Sequence, residues 1–149
     1  MTRPIEFRGK RVDNGEWVYG DLVHGQGPKY GEYYILPHTQ FYPKGCHDLD
    51  GWHIDPATVG QFTGLHDRDG KKIWEGDVCV SDYDTSNPSP ILFGEFSDCG
   101  AEDKETIVGF YWQESSGEKY AFGRCVRGSM SYISVIGNIH DNPELVTLK

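Results

Sequence analysis

The chain has 149 residues, of which 37% are hydrophobic and 13% aromatic, and its net charge at neutral pH is −9. This length fits one domain, or one domain with a small appendage, and it is long enough to bury a hydrophobic core. The apolar residues are spread along the whole chain, which argues against disorder, and the acidic balance argues against binding that depends on many phosphate contacts.

The first third of the chain predicts a β-meander. Strands rich in aromatic and β-branched residues are expected over residues 6–12, 16–23 and 32–36. The hairpin turn between the first two is Asp13-Asn14-Gly15, since this type of sequence readily adopts the conformation of a tight turn. Residues 37–57 show no clear period, so we expect a long ordered loop there with a short strand at residues 51–54.

The second part of the chain begins near residue 59 and also predicts strands. They are expected over residues 59–63, 72–74, 78–80, 91–93, 105–112, 120–123 and 132–138. Asp69-Gly70 predicts the hairpin turn between the first two of them. Residues 81–90 are polar and contain two prolines, so they predict a loop and a boundary. Asn142 and Pro143 predict the start of a short C-terminal helix.

The cysteines and the first residues of the chain indicate a cytoplasmic protein. Cys46, Cys79, Cys99 and Cys125 are widely spaced and form no CxxC pair, so we expect free thiols in a reducing compartment. We expect no signal peptide, because the first residues lack an apolar segment, and no contact with a membrane, because no apolar run is long enough to span one.

A cluster of metal-binding residue types is the first candidate for chemistry. Cys46, His47 and His53 lie within eight residues, together with two aspartates. Zinc requires three or four converging ligands, whereas neighbouring residues of an extended chain point to opposite sides. A polar surface loop is therefore the preferred interpretation, and these three residues are kept as weak metal candidates. The sequence does not have the residue spacing of a calcium-binding loop, a phosphate-binding loop or a serine nucleophile motif. We therefore expect no cofactor and no catalytic residues.

Two charged regions are candidates for binding. Arg8, Lys10 and Arg11 lie near Trp17 and Tyr19, and an exposed face of this kind would suit single-stranded nucleic acid. Burial of the aromatic residues in the core is the alternative interpretation. The acidic residues between positions 82 and 105 predict a solvated loop, or else an acidic surface that meets a basic protein or imitates nucleic acid.

Three strings of residues resemble, in the same order, the sequence pattern of the YopX family. The strings are Ile5-Glu6-Phe7-Arg8, residues 61–78 with Ile73-Trp74-Glu75-Gly76-Asp77-Val78, and residues 135–145 with Ile136-Gly137-Asn138-Ile139-His140-Asp141-Asn142-Pro143. The first string is generic and the other two are specific. The family pattern often has Tyr at the position of Trp74, and residues 38–57 and 81–104 match no part of the pattern.

The resemblance implies a mainly β fold. It is a YopX-like, partly open β-barrel of SH3-like character with an N-terminal β-meander and a short C-terminal helix. We expect a single domain over residues 1–149, with residues 1–57 and 58–149 as possible sub-parts. The resemblance also implies a phage or prophage origin, which makes the expected location the cytoplasm of a bacterial host, and it supplies no catalytic residue.

Three functions are consistent with these observations. The preferred one is a non-enzymatic interaction module that self-associates, as a homo-oligomer, or binds a host protein, because exposed strand edges invite partners. The second is a nucleic-acid-binding accessory protein of phage DNA metabolism that uses Arg8, Lys10 and Arg11. The third is a small metal-dependent hydrolase that uses Cys46, His47 or His53.

Overall fold

The computed structural model describes residues 4–25, 32–38, 51–103, 105–122 and 132–146. In these ranges the chain forms eleven β-strands and two short 3₁₀ helices. The chain divides into two compact units, Met1–Phe62 and Thr63–Lys149, and the boundary falls within one strand. A single domain over residues 1–149 stays a prediction.

Six strands form the first antiparallel sheet. They are β1 (Phe7–Lys10), β2 (Trp17–His24), β3 (Tyr33–Leu36), β4 (Trp52–Ile54), β5 (Gly60–His66) and β6 (Lys72–Trp74), in the order β4-β3-β2-β1-β5-β6. The predicted meander is therefore present as β1 to β3, and the short strand expected at residues 51–54 is β4. Asp55 precedes the 3₁₀ helix Pro56–Thr58, and its carboxylate accepts a hydrogen bond from Ala57 N.

The core of the first unit lies on one face of β1 to β4. Val18, Ile35 and Ile54 are its buried centre. Gly9 lies over this centre, because a Cβ there would come within 2.5 Å of Ile54 Cδ1. Gly20 is required for close approach to β3, since a Cβ there would lie 1.9 Å from the carbonyl oxygen of Leu36. Two glycines therefore set the spacing of this sheet.

The second unit contains the other antiparallel sheet. Its strands are β7 (Asp77–Ser81), β8 (Asp84–Ser97), β9 (Thr106–Gln113), β10 (Lys119–Ala121) and β11 (Ile133–Asn138), in the order β10-β9-β8-β7-β11. Its core is formed by four fully buried residues, Ile73, Cys79, Ile91 and Ile133. Burial raises the pKa of the Cys79 thiol far above its usual range, with a smaller contribution from Asp77.

The expected loop at residues 81–90 is wrong, because β8 begins at Asp84 after a tight turn. The first half of β8 pairs with β7, with Cys79 opposite Ser89, and the second half pairs with β9, with Leu92 opposite Tyr111. The acidic region is therefore partly strand, over residues 84–97, and partly loop, over residues 98–103 and 105, and its acidic side chains are exposed except that of Asp98. The polar residues and prolines of this segment are compatible with a strand because its first half has a described neighbour on one side only.

The prediction of a mainly β fold is confirmed, whereas the barrel is not. The described strands form two antiparallel sheets and no closed barrel. The expected C-terminal helix is not confirmed either, because Pro143–Val146 form only a 3₁₀ helix of four residues. Its start agrees with the position predicted from Asn142 and Pro143. In the described ranges no helix is long and apolar enough to cross a membrane.

Candidate functional site

The proposed metal ligands are not brought together in the described part of the chain. Cys46 and His47 lie outside the described residues. His53 lies on β4, where its ring stacks on Tyr34 with the ring centroids 5.2 Å apart. Within the described ranges, no group of three or more His, Cys, Asp or Glu side chains could hold a metal ion. A metal site formed by Cys46, His47 and His53 stays a prediction.

The structure places Arg8 and Lys10 on one face of the first sheet, over Trp17. Pairing of β1 with β2 sets Arg8 opposite Tyr19 and Lys10 opposite Trp17, on the side away from the core. The guanidinium of Arg8 is 4.5 Å from the centroid of the Trp17 ring, and the Lys10 ammonium is 5.8 Å from it. Both distances suit a cation–π interaction.

Arg11 does not join this face. Its backbone forms an isolated antiparallel β-bridge with Ile54. Its guanidinium lies 5.9 Å from the ring centroid of Trp52, which packs against the core. Its Nε donates to Asp13 Oδ1 over 2.9 Å, and this hydrogen bond lowers the pKa of Asp13 and raises that of Arg11. The three predicted nucleic-acid contacts are therefore divided between the two faces of the sheet.

Burial further limits what the basic residues can contact. Arg8 is only 5% exposed, so its charge is held against Trp17 and is not presented at the surface. Tyr19 is 43% exposed and is the accessible aromatic ring of this face. The face offers one stacking ring and the partly exposed Lys10, which is a small set compared with the usual sites for single strands.

A more prominent exposed apolar surface lies in the second unit. We call the end of the β8–β9 pair, residues 93–97 with residues 106–110, the distal ribbon. Phe93 pairs with Phe110 and Glu95 with Val108, so these four side chains lie on one face. Val108 is 71% exposed and Phe93 51% exposed, and the Phe93 and Phe110 rings meet edge to face with their centroids 5.0 Å apart. Such a group of exposed apolar side chains is typical of an interaction surface.

Among the strands of the described ranges, the distal ribbon also has an open edge. The carbonyl of Ile91 accepts a hydrogen bond from Gly76 N, on the β7 side of β8. Because backbone groups alternate along a strand, the N–H and C=O groups of Phe93, Glu95 and Ser97 point to that same side. The pairing of β7 with β8 ends at Pro90, and no described strand lies beside residues 93–97 on this side. Unpaired backbone groups of this kind can accept another strand.

The surroundings of the distal ribbon are acidic. The exposed acidic residues on it and in the loop that joins its two strands are Glu95, Glu102, Asp103 and Glu105. Asp98 lies in the same loop but is only 3% exposed, and its carboxylate accepts a hydrogen bond from Gly100 N over 2.9 Å. The surface therefore combines apolar side chains, an open edge and negative charge.

The two specific strings of the sequence meet in the second unit, where they have a structural role. Asp67 is 7% exposed. Its Oδ1 accepts hydrogen bonds from Asp69 N and Lys71 N, both over 2.9 Å, and its Oδ2 accepts one from Val135 N over 3.2 Å. Burial by itself raises the pKa of Asp67, but the three backbone donors outweigh it and lower the pKa. The predicted turn is thus also a link to β11.

The second glycine turn makes the same kind of link. Gly76 O accepts a hydrogen bond from Ile139 N over 2.8 Å, and Asp77 Oδ2 accepts one from Trp74 N over 2.8 Å. Asn138 Oδ1 in turn accepts from His140 N and Asp141 N. These polar residues accept hydrogen bonds from backbone N–H groups, which is the role of turn residues.

No pattern in the sequence identified the distal ribbon as a candidate binding surface. The strand over β9 is predicted correctly, but its alternation only shows which residues share a face. Trp112 packs against the core, whereas Val108 on the same strand is exposed. The absence of a neighbouring strand is a property of the sheet order, so no local signal reveals it.

Comparisons with known proteins agree with the fold. A family model described as "YopX protein" matches residues 6–147. Among solved structures, the chain is similar to protein EF1440 from Enterococcus faecalis, with a TM-score of 0.51 and 19% sequence identity over 97% of this chain and 99% of that chain. At this identity the likeness shows the fold alone. No curated protein matches the chain.

Proposed function

The chain belongs to the YopX family, which is not a known enzyme family, and we propose that it is a non-enzymatic interaction module that self-associates through the distal ribbon. The observation that carries the proposal is the open edge at residues 93–97, beside the exposed Phe93 and Val108. Two copies related by a two-fold axis would each complete the other's edge, which is the commonest symmetry of homo-oligomers.

Charge sets the conditions for this association. Glu95 lies at the centre of the open edge, and each copy has a net charge of −9. An antiparallel pair centred near Glu95 brings like charges together, so salt that screens the repulsion favours the oligomer. A basic host protein is the second candidate partner. Its binding to the same acidic ribbon would instead weaken as salt is added.

Sedimentation velocity of the full chain over a range of concentrations tests self-association. We expect a concentration-dependent dimer or larger species that increases between about 0.05 M and about 0.5 M salt. Glu95→Pro removes an N–H group from the open edge and leaves the hydrogen bonds between β8 and β9 intact. This variant should therefore not form the oligomer. A strict monomer in the wild-type chain at all salt concentrations would refute self-association.

A neighbouring pair of substitutions tests the apolar face. Val108→Lys should weaken the oligomer, whereas Ile107→Lys should leave it intact because Ile107 lies on the opposite face of β9 and is also exposed, at 39%. If Val108→Lys and Ile107→Lys weakened the oligomer equally, the apolar face of the distal ribbon would not be the contact surface. Affinity capture with the wild-type chain and with Glu95→Pro at low salt tests the host-protein alternative.

A nucleic-acid-binding role is the other alternative that we carry forward. The position of Lys10 and the exposed Tyr19 on one face of the sheet favours it, while the burial of Arg8 against Trp17 and the position of Arg11 limit it. Gel shifts with single- and double-stranded DNA at low salt, compared with Lys10→Glu, test this role. No shift in the wild-type chain would exclude it.

The remaining parts of the proposal concern origin, location and chemistry. A phage or prophage origin, and with it a bacterial host, is supported by the family resemblance, and a cytoplasmic location by the spacing of the cysteines. A hydrolase that uses Cys46, His47 or His53 is the least supported alternative. Metal analysis of chain purified without chelators tests it, and less than one equivalent of bound metal removes its basis.

A further inference from the structure

A cavity of about 470 Å³ lies in the second unit, where the pairing of β8 with β9 ends. The last paired residues are Ile91 and Trp112. Backbone alternation turns the nitrogen of Pro90 toward Gln113, since the carbonyl of Ile91 points to β7. Pro90 has no N–H group, so β8 gives the carbonyl of Gln113 no hydrogen bond at this position. The proline therefore opens a fork between the two strands, and the Gln113 carbonyl is an acceptor at this fork.

Apolar side chains form two walls of the cavity. Pro88, Pro90 and Leu92 share one face of β8, because alternate residues of a strand do so. The other wall comes from the C-terminal string of the sequence and consists of Ile139, Leu145 and Val146. Gly137 lets this wall approach β11, because a Cβ there would lie 2.9 Å from Leu145 Cδ1. A ligand between the walls would bury an apolar chain.

The neutral polar side chains of the lining offer both donors and acceptors. They are Ser86, Asn87, Gln113 and Ser115. The Ser86 hydroxyl donates to Asp84 Oδ1 over 2.6 Å, which leaves its oxygen as an acceptor. Asn87 Oδ1 accepts from Ser115 N over 3.5 Å, which holds the Asn87 amide across the fork and leaves its Nδ2 group as a donor. The amide of the half-buried Gln113 contains one group of each kind.

Charge in the lining does not select the ligand. Glu144 is exposed and already interacts with another residue, so its carboxylate is not counted among the ligand-binding groups. No described residue of the lining is positively charged, so a phosphate or carboxylate would find no cation there. An ammonium or guanidinium group only donates, and it would leave the N–H donors of Asn87 and Gln113 without an acceptor. A neutral ligand that both donates and accepts hydrogen bonds fits these groups.

We propose that this cavity binds an uncharged amide that carries a short alkyl chain. The ligand carbonyl accepts from Gln113 Nε2 and the ligand N–H donates to Gln113 Oε1, while the alkyl chain lies on Pro88, Pro90 and Leu92. The cavity volume is in the range of ligand sites and suits a molecule of roughly ten to fifteen non-hydrogen atoms. Two sources have this chemistry, namely a free alkyl amide and an asparagine or glutamine side chain of a peptide. The proposal does not depend on self-association through the distal ribbon.

The test uses four probes that share a pentyl chain and a planar head group of the same shape. They are hexanamide, 2-heptanone, hexanoate and hexanamidine, which is a cation at neutral pH. Each is titrated into the full-length chain at about 0.3 M salt, which screens general attraction of cations to the acidic chain, and is followed by amide chemical shifts in NMR spectra. We expect hexanamide to shift the amides of Leu92, Gln113 and Leu145. It should bind about fivefold more tightly than 2-heptanone, which cannot donate, and more tightly than both charged probes.

Two variants and one control locate the interaction. Gln113→Met keeps the size of the side chain and removes its amide, so it should lower the affinity for hexanamide about fivefold without lowering that for 2-heptanone. Gln61→Met makes the same exchange at a half-buried strand position of the first unit and should change neither affinity. Leu92→Trp should block both probes, and Val146→Trp replaces it if Leu92→Trp does not fold.

Three results would overturn the proposal. The first is equal affinity for hexanamide and 2-heptanone, and the second is a preference for hexanamide that persists in Gln113→Met. The third is a charged probe that binds as tightly as hexanamide at the same amides.

The source of the amide is distinguished by a fifth probe, acetyl-Leu-Gln-Leu-amide. Binding at least about tenfold tighter than hexanamide, at the same amides, assigns the cavity to an amide side chain of a peptide segment. Any weaker binding of the peptide assigns the cavity to a free alkyl amide.

Discussion

Replacement of Asp67 by asparagine tests the link between the hairpin turn and β11. In Asp67→Asn the remaining carbonyl oxygen can still accept from Asp69 N and Lys71 N, but the new amide group faces Val135 N with a second donor. One hydrogen bond is lost, the N–H of Val135 is left without an acceptor, and two charge-assisted bonds become neutral. Together these losses cost about 3 kcal/mol of the free energy of unfolding.

The pH dependence of that loss identifies the carboxylate as its cause. The pKa of Asp67 is lowered in the folded chain, so its contribution is complete above the ordinary carboxyl pKa of about 4 and decreases as the pH falls through the lowered value. The difference in stability between wild type and Asp67→Asn should therefore be constant from about pH 7 to pH 5 and become smaller toward about pH 3.

Urea unfolding followed by tryptophan fluorescence measures both effects, because Trp74 and Trp112 belong to the second unit. A loss of about 3 kcal/mol moves the urea midpoint down by about 1.5 M and the thermal midpoint down by roughly 6–12 °C. Asp69→Asn is the matched control in the same turn and should remain within about 0.5 kcal/mol of wild type. Equal midpoints for Asp67→Asn and wild type at neutral pH, or a difference that does not change in acid, would refute the reasoning.

Two further predictions concern close packing and thiol chemistry. Gly20→Ala should destabilise the first unit by about 3 kcal/mol or more, because the added Cβ meets the carbonyl oxygen of Leu36. Gly109→Ala, a strand glycine with no atom within 4 Å of the added carbon, should change the thermal midpoint by only about 1–2 °C. Iodoacetamide followed by peptide mapping should modify the exposed Cys99 in the native chain and leave Cys79 unmodified until urea unfolds the chain. Rapid native labelling of Cys79 would contradict its burial.

Much of the secondary structure follows from the sequence, because the strands carry strong local signals. Aromatic and β-branched residues between glycine turns predict β2, β9 and β11 within about two residues of their observed ends. Asp69-Gly70 predicts its turn correctly, and Gly70 has the expected positive φ of 80°. These features depend on neighbouring residues alone, so no tertiary information is needed.

The first half of β8 and the binding surfaces could not be predicted in the same way. Residues 84–90 have the composition of a loop, and only pairing with β7 makes them a strand. Likewise, Arg8 and Arg11 look equivalent in the sequence, but a separation of three residues places them on opposite faces of a strand. The exposure of Val108 and the cavity beside Leu145 depend on sheet order, which local patterns do not encode.

Pro88 and Pro90 have a consequence for aggregation. The carbonyl of Ile91 points toward β7, so alternation places the nitrogen of Pro90, and of Pro88 two residues earlier, on the other side of β8. A strand that approached there would find no donors at these two positions. Along this strand, a second chain can therefore pair fully only with the short segment from Phe93 to Ser97. A contact of this length favours a small, closed assembly and opposes the open-ended stacking of strands from which fibrils grow.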